Sequence, residues 1–184
     1  MYHSVAMVTH MRRALAIVPL IVGGMLALTA GPALAGNPSP TRIRAAIKRA
    51  EQSSSLWATV NICNSRRYPD DIGIRGQMPT LGFATWLSID VKLYYYSSNQ
   101  KRFIAVPTGG SKLVPLGRAS SGLQQSGAVF QFAPHQPPLK AVVTFSWRRS
   151  GQLLGQAARS TAGGHHNADY ASPAGYSAAT CTIR

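Results

Sequence analysis

The sequence predicts an all-β domain, an antiparallel sandwich of about eight or nine strands with a short N-terminal helix and one disulfide. Short segments with alternating hydrophobic residues recur along residues 55–184, and turns rich in Gly, Pro, Ser or Asn separate them. No long helical pattern lies between these segments. This arrangement favours two packed antiparallel sheets over a mixed fold.

The first 35 residues have the features of an export signal. Arg12-Arg13 precedes an uncharged apolar run over residues 14–30, and Ala33-Leu34-Ala35 is the small-x-small pattern that a signal peptidase cleaves. The alternative is a permanent membrane anchor, but the run is short and Pro32 interrupts it. We therefore expect cleavage after residue 35, no stable membrane span afterwards, and a secreted or cell-surface protein.

Cleavage would leave two parts. We expect residues 36–54 to form a basic helix and its linker, and residues 55–184 to form the sandwich domain. At the other end of the signal, the sequence leaves open whether translation starts at Met1 or at Met11. The whole chain carries 19 basic and 5 acidic residues, a net charge of +14, which loss of the two signal arginines lowers to +12. This charge indicates either a solvated surface or attraction to polyanions such as nucleic acid, anionic envelope polymers or lipid headgroups.

A short helix is predicted over Thr41–Gln52. Ser39-Pro40 precedes it, with a capping residue followed by a proline suited to the first helical position. The predicted helix has one narrow apolar stripe, half of it alanine: Ile43, Ala46, Ile47 and Ala50. The stripe favours packing against the domain, and a membrane-surface helix is the alternative.

Two cysteines in an exported chain predict one disulfide. Cys63 ends the first predicted strand, Leu56–Cys63, and its only partner is Cys181, on what we expect to be the last strand. Two free buried thiols are the alternative. A metal site fits less well, because no second pair of ligands has finger-like spacing.

Residues 83–96 show the clearest strand pattern. Their odd-numbered positions are apolar and form the expected core face: Phe83, Thr85, Leu87, Ile89, Val91, Leu93 and Tyr95. At about 3.3 Å per residue, fourteen residues would span roughly 46 Å, which is long for a strand in a domain of this size. We therefore expect a bend or bulge near the middle.

The best binding candidate combines aromatic and basic side chains. Such groups can stack on bases or sugars while neutralising anions. The candidate residues are Trp86, Tyr94, Tyr96, Lys101, Arg102, Arg148 and Arg149. The alternative is an outer sheet face that the helix or a loop covers.

Catalytic chemistry has weaker support. His165-His166 with Asp169 has metal-ligand residue types, but a solvated Gly-rich loop explains it better. No Gly-x-Ser-x-Gly motif is present. We predict no enzyme activity, cofactor, metal or catalytic residue, and the alternative is a small exported hydrolase that uses His165, His166 or His135 with an aspartate.

The strand pattern over residues 55–184 resembles the immunoglobulin-like and fibronectin-type sandwiches. It departs from antibody domains because Cys63 and Cys181 join the first and last predicted strands, and because Tyr176 precedes the second cysteine by five residues instead of two. Segments 57–63 and 172–181 are also similar to uncharacterised exported bacterial proteins with no assigned activity. The resemblance implies fold and compartment. The resulting hypothesis is an exported, basic, non-enzymatic domain that binds an anionic envelope polymer or a protein partner.

Overall fold

The computed structural model describes residues 37–184, so the predicted signal peptide lies outside the described residues. The chain first forms helix α1, Pro40–Gln52. The side-chain oxygen of Ser39 accepts a hydrogen bond from the Arg42 backbone N–H at 3.3 Å, and Pro40 occupies the first helical position. The predicted cap and helix are therefore present. Among residues 37–184, no helix has both the length and the apolar character needed to cross a membrane.

Eight strands follow the helix and confirm the all-β prediction. They are β1 (Trp57–Ser65), β2 (Tyr68–Pro79), β3 (Thr85–Ser97), β4 (Arg102–Ala105), β5 (Ser111–Ala119), β6 (Leu123–Gln131), β7 (Leu139–Arg149) and β8 (Gln152–Ser160). Sheet 1 has the order β1-β2-β6. Sheet 2 has the order β4-β3-β7-β8, and its fifth strand, β5, pairs with the same edge of β3 as β4 does. All these strand pairs are antiparallel.

The core lies between the two sheets, and the helix completes it. The odd-numbered side chains of β3 from Leu87 to Leu93 and of β7 from Leu139 to Trp147 are buried, and Trp147 donates an indole hydrogen bond to the Pro79 carbonyl at 2.9 Å. Helix α1 packs on the inner side of β8, where Ile47 is buried against Gly155. A Cβ at position 155 would lie 2.6 Å from Ile47 Cγ2. The apolar stripe of the helix therefore packs against the domain.

The predicted disulfide is present between Cys63 and Cys181, with 5.4 Å between the two Cα atoms. Cys181 does not lie on a regular strand, which corrects the expectation of a last strand near the end of the domain. Its backbone makes a single antiparallel bridge to Leu139, with N···O distances of 2.7 and 2.8 Å. The disulfide therefore joins the end of β1 in sheet 1 to a C-terminal residue that is hydrogen-bonded to the start of β7 in sheet 2.

A β-bulge changes which side chains of β1 face the core. Val60 pairs with Ile74, but Ile62 pairs with Gly73, so β1 contains one extra residue between these pairs. One extra residue reverses the alternation beyond it. Cys63 consequently packs against the core, whereas Ile62 is buried outside the core cluster. Strict alternation predicts that Ile62 shares a face with Ala58 and Val60, and the bulge turns it to the other face.

The outer face of β1 is buried as well, because residues 161–183 pass over it. We call these residues the closing segment. Three side-chain contacts fix it there: the His165 ring stacks on Trp57 at 4.6 Å between centroids, the Thr59 and Ser177 hydroxyls hydrogen-bond at 2.7 Å, and Asn61 Nδ2 donates to the Asp169 carbonyl at 2.8 Å. Sheet 1 is thus covered on both sides at β1.

Strand β3 has 13 residues, close to the predicted length, and is more regular than expected. It pairs with β7 without a register shift from Trp86 to Tyr95. Two separate strands pair with the other edge of β3: β5 with residues 85–92 and β4 with residues 94–97. The one register shift beside β3 lies opposite the Leu87–Ser88 step, in β5. The expected irregularity therefore occurs in the neighbouring strands.

Candidate functional site

The even-numbered side chains of β3 form the outer face of sheet 2. The odd-numbered residues from Leu87 to Leu93 are at most 2% exposed, so their neighbours point the other way. Helix α1 lies on the inner side of β8, and the closing segment covers sheet 1. Trp86 is 57% exposed. We call this surface, from Trp86 to Tyr96 with the facing residues of adjacent strands, the β3 face.

At one end of the β3 face, the exposed Trp86 lies between arginines of the two neighbouring strands, and the guanidinium of one of them, Arg148, donates a hydrogen bond to the Gly151 carbonyl at 3.4 Å. Trp86 is directly opposite Arg118 of β5 on one side and Arg148 of β7 on the other. Arg148 in turn faces Leu153 of β8, which is 41% exposed. Directly opposed residues place their Cβ atoms about 4.5–5.5 Å apart on one sheet face. These four residues form the Trp86 row.

A shallow depression of about 250 Å³ adjoins the Trp86 row. Its lining consists of Ala84, Trp86, Arg118, Arg149 and Ser150. Arg149 reaches it from the opposite face of β7, where its guanidinium donates to Asn37 Oδ1 at 2.6 Å and lies 5.7 Å from the Phe83 ring centroid. Arg149 therefore lies beside the row while Asn37 and Phe83 hold its side chain.

A second cluster of aromatic and basic groups lies at the other end of β3. Tyr96 is opposite Phe103 of β4, and the two rings meet edge to face at 5.4 Å between centroids. Lys140 of β7 is opposite Tyr94, and its Nζ lies 4.4 Å from the Phe103 centroid. We call Tyr94, Tyr96, Phe103 and Lys140 the Tyr96 cluster. All four side chains are partly accessible.

The two basic residues predicted beside the tyrosines occupy different positions. Lys101 is exposed in the β3–β4 turn, with φ of 52°. Arg102 is opposite Ser97, so it points away from the β3 face, and its guanidinium donates to Gln100 Oε1 at 3.0 and 2.8 Å. Lys140 supplies the cation nearest to the aromatic rings instead.

The two ends of the β3 face are well separated. Trp86 and Tyr94 are eight residues apart in β3, which is about 26 Å at 3.3 Å per residue. The paired residues between them have mostly short side chains: Ser88 with Ser146, Asp90 with Thr144, and Lys92 with Val142. Asp90 is the acid on this face, and its Oδ1 accepts a hydrogen bond from the Ser111 hydroxyl at 3.2 Å. The predicted set is therefore two groups on one face.

His165 and His166 have structural contacts in the closing segment. The His165 ring stacks on Trp57, and burial lowers its pKa below the usual histidine value, with a smaller contribution from the charge of His166. His166 Nδ1 lies 2.7 Å from the Gly175 carbonyl oxygen. The hydrogen bond donated by the adjacent His165 backbone N–H to Ser177 Oγ, at 2.8 Å, further fixes this loop.

His135 lies in a different part of the domain. It is exposed with φ of 62°, and the N–H of the next residue, Gln136, donates to the Ile183 carbonyl oxygen near the disulfide. His165, by contrast, stacks at the opposite end of β1. Within residues 37–184, no group of three or more His, Cys, Asp or Glu side chains is arranged to hold a metal ion.

Sequence reasoning did not find Arg118, Phe103 or the role of Lys140. Lys140 could have been placed on the outer face, because it alternates with the core residues of β7. No sequence pattern around Arg118 indicates its position beside Trp86, because that position depends on the β3–β5 register. Comparisons with protein-family models and with curated protein sequences found no match. The β3 face is therefore the feature of the molecule that bears most directly on function.

Proposed function

We propose that the protein is an exported, basic, non-enzymatic binding domain that acts outside the cytoplasm and holds an anionic polymer on its β3 face. The Trp86 row is the observation that supports this most strongly. An accessible indole can stack on a base or sugar ring, and flanking arginines can pair with phosphate or carboxylate groups of the same polymer.

Overall charge supports the same partner class. Residues 37–184 contain 17 basic and 5 acidic residues, so a polyanion is attracted from a distance before it reaches the face. On the β3 face, Arg118, Arg148, Lys92 and Lys140 outnumber Asp90. The local charge therefore has the same sign as the overall charge. A protein partner with an acidic surface is the alternative outcome of the experiment below.

The disulfide supports action outside the cytoplasm. Disulfides persist in oxidising compartments and are rare in the cytosol of most organisms. The Cys63–Cys181 bond agrees in this respect with the export signal predicted for residues 1–35. Retention at the cell surface and release into the medium are both compatible with this proposal.

The test compares two double variants with the same change in charge. Arg118→Gln/Arg148→Gln removes the arginines beside Trp86, whereas Arg66→Gln/Arg67→Gln removes two exposed arginines from the β1–β2 turn. Binding of a labelled oligothymidylate is measured by fluorescence anisotropy over a range of salt concentrations. We expect the first variant to lose about tenfold or more in affinity and about 0.7 in salt slope per lost phosphate contact.

The control variant should retain most of the affinity. Equal losses in the two variants would mean that diffuse charge, and not the β3 face, attracts the polymer. Trp86→Ala adds a separate readout: it should weaken oligothymidylate binding, because base stacking contributes about 1–3 kcal/mol, but leave binding of inorganic polyphosphate unchanged. Tight binding of an acidic protein, with no binding of either polymer, would favour the alternative partner.

A further inference from the structure

We infer that the Trp86 row and the Tyr96 cluster are two subsites for a single extended polymer chain that runs along β3. This inference depends on the proposed function and adds a minimum ligand length to it. Both groups combine an accessible aromatic ring with an adjacent cation: Trp86 with Arg118 and Arg148, and Phe103 with Lys140. Each group can therefore contact one ring and one anionic group.

The two subsites share a strand and a face, which fixes their separation and orientation. Strand β3 pairs without a register shift with β7 from Trp86 to Tyr95, so no irregularity in that pairing intervenes. The step of eight residues from Trp86 to Tyr94, which is opposite Lys140, places the near ends of the subsites roughly 26 Å apart at about 3.3 Å per residue. A straight ligand chain can follow the strand between them.

Between the subsites the surface is low on the β7 side of β3, because the paired residues there are small, whereas on the β5 side Leu113, opposite Asp90, is 72% exposed and forms an apolar edge to the path. Ser88 faces Ser146, and Asp90 faces Thr144, so no large ring blocks the path along β3. Lys92 adds a cation to this stretch, and Asp90 adds the one negative charge. The carboxylate should repel an anionic chain near its midpoint and thereby reduce its affinity.

Two linked subsites give a steep dependence on ligand length. Once one subsite is occupied, the second binds from a high effective concentration, and overall affinity can rise by about 10²–10⁴. A chain that cannot span about 26 Å gains nothing from the second subsite. At about 3.4 Å per nucleotide, this threshold is roughly eight nucleotides, and fewer for a stretched strand.

The experiment measures oligothymidylates of about four and about sixteen nucleotides against wild type, Trp86→Ala and Lys140→Gln. A longer oligomer can also bind a single subsite in more registers, which raises its affinity statistically. The ratio of long-oligomer to short-oligomer affinity in the single-subsite variants measures this statistical effect and serves as the baseline. We expect the wild-type gain to exceed that baseline by at least tenfold. Each variant should lose this excess while weakening the short oligomer much less.

Two further variants sharpen the test. Arg102→Gln removes one charge from the same end of the domain but from the side that points away from the face, so it should keep the length dependence of wild type. Asp90→Asn should strengthen binding of the long oligomer and leave the short one nearly unchanged. The substituted residues are all exposed or half-buried, and near-ultraviolet circular dichroism checks that each variant is folded.

The outcomes separate this inference from the function on which it depends. If wild type and both subsite variants show the same gain with length, the two clusters act independently and the two-subsite inference is overturned, although polymer binding remains. If the wild-type protein binds neither oligomer nor polyphosphate, the proposed function itself fails. Loss of the length-dependent excess in Arg102→Gln would also contradict the assignment of the second subsite to Lys140.

Discussion

Removing the bond between Cys63 and Cys181 should lower the free energy of unfolding by about 5 kcal/mol. The two cysteines are 118 positions apart, and the loop-entropy relation gives roughly this value for a ring of that size. Domains of this class have total stabilities of about 5–15 kcal/mol. The variant Cys63→Ala/Cys181→Ala should therefore be marginally stable. Alanine is preferable at position 181, which is 2% exposed, because serine would place a hydroxyl in the core.

Urea unfolding followed by tryptophan fluorescence measures the change. With an m-value of about 1–3 kcal/mol per molar urea, a loss of 5 kcal/mol lowers the midpoint by roughly 2–5 M. Reductant should shift wild type to the midpoint of the double variant and leave the variant unchanged. Buried Trp147 reports on the core, and Trp57 reports on the contact with the closing segment.

A midpoint shift below about 0.5 M, with an unchanged m-value, would refute the reasoning, because the bond would then not restrict the unfolded chain. A decrease in the m-value has a different meaning. It would indicate that the closing segment is already detached in the reduced protein, so that less surface is exposed when the remainder unfolds. A change in Trp57 emission before that of Trp147 would identify this case.

Two further predictions concern the packing of the helix and of the closing segment. Gly155→Val should destabilise the domain by about 1–3 kcal/mol, because its Cβ would meet Ile47, whereas Gly163→Val, whose Cβ has only ordinary contacts, should have a smaller effect on the urea midpoint. Burial lowers the pKa of His165 in the folded protein, so His165 is protonated more readily in the unfolded chain. The free energy of unfolding should therefore be highest above about pH 6.5, the usual histidine pKa, and should decrease as the pH falls toward the pKa of His165 in the folded protein. His165→Phe should reduce this pH dependence of the midpoint; an unchanged pH profile would show that His165 does not cause it.

The inner faces of the long strands were predictable from the sequence. Leu87, Ile89 and Val91 alternate with polar residues, and all three are buried as the pattern predicts. Trp147 likewise lies in the core. In these segments one face packs and the other meets solvent, so hydrophobic alternation contains the necessary information.

Other parts of the fold depend on contacts that alternation does not report. Gly73 and Gly76 are typical of a short strand with a bulge or of an edge strand; a bulge is present opposite Gly73, in β1, but β2 is the central strand of sheet 1. A Cβ at these positions would lie 2.8 Å from the Cβ of Ile62 and 2.9 Å from the ring of Phe145. The Gly-, Ser- and Gln-rich composition of residues 117–126 predicts a loop, yet residues 117–119 belong to β5 and residues 123–126 to β6. Gln125 bonds there to Gln77 and to the closing segment.

The candidate site was predictable only in part, for a similar reason. The sequence placed Trp86 and Tyr96 on one face because they are an even number of residues apart. It could not place Arg118 beside Trp86, since strand order and register determine that neighbour. It also could not separate Arg102 from the face, because the β3–β4 turn determines the side on which that arginine lies.

The closing segment also affects how a nascent chain can reach the folded state. Strand β1 is synthesised before most of its partners. Ser177, which hydrogen-bonds to Thr59, and Cys181, which forms the disulfide with Cys63, are each synthesised 118 residues later than their partner. Ile183, which has no exposed surface, is added later still. Contacts this distant in sequence slow folding, because a long loop must close before they form. Until these contacts form, the unpaired edge and the outer face of β1 are exposed to solvent and can aggregate. We expect a chaperone that prevents aggregation to bind the unfinished chain at this strand.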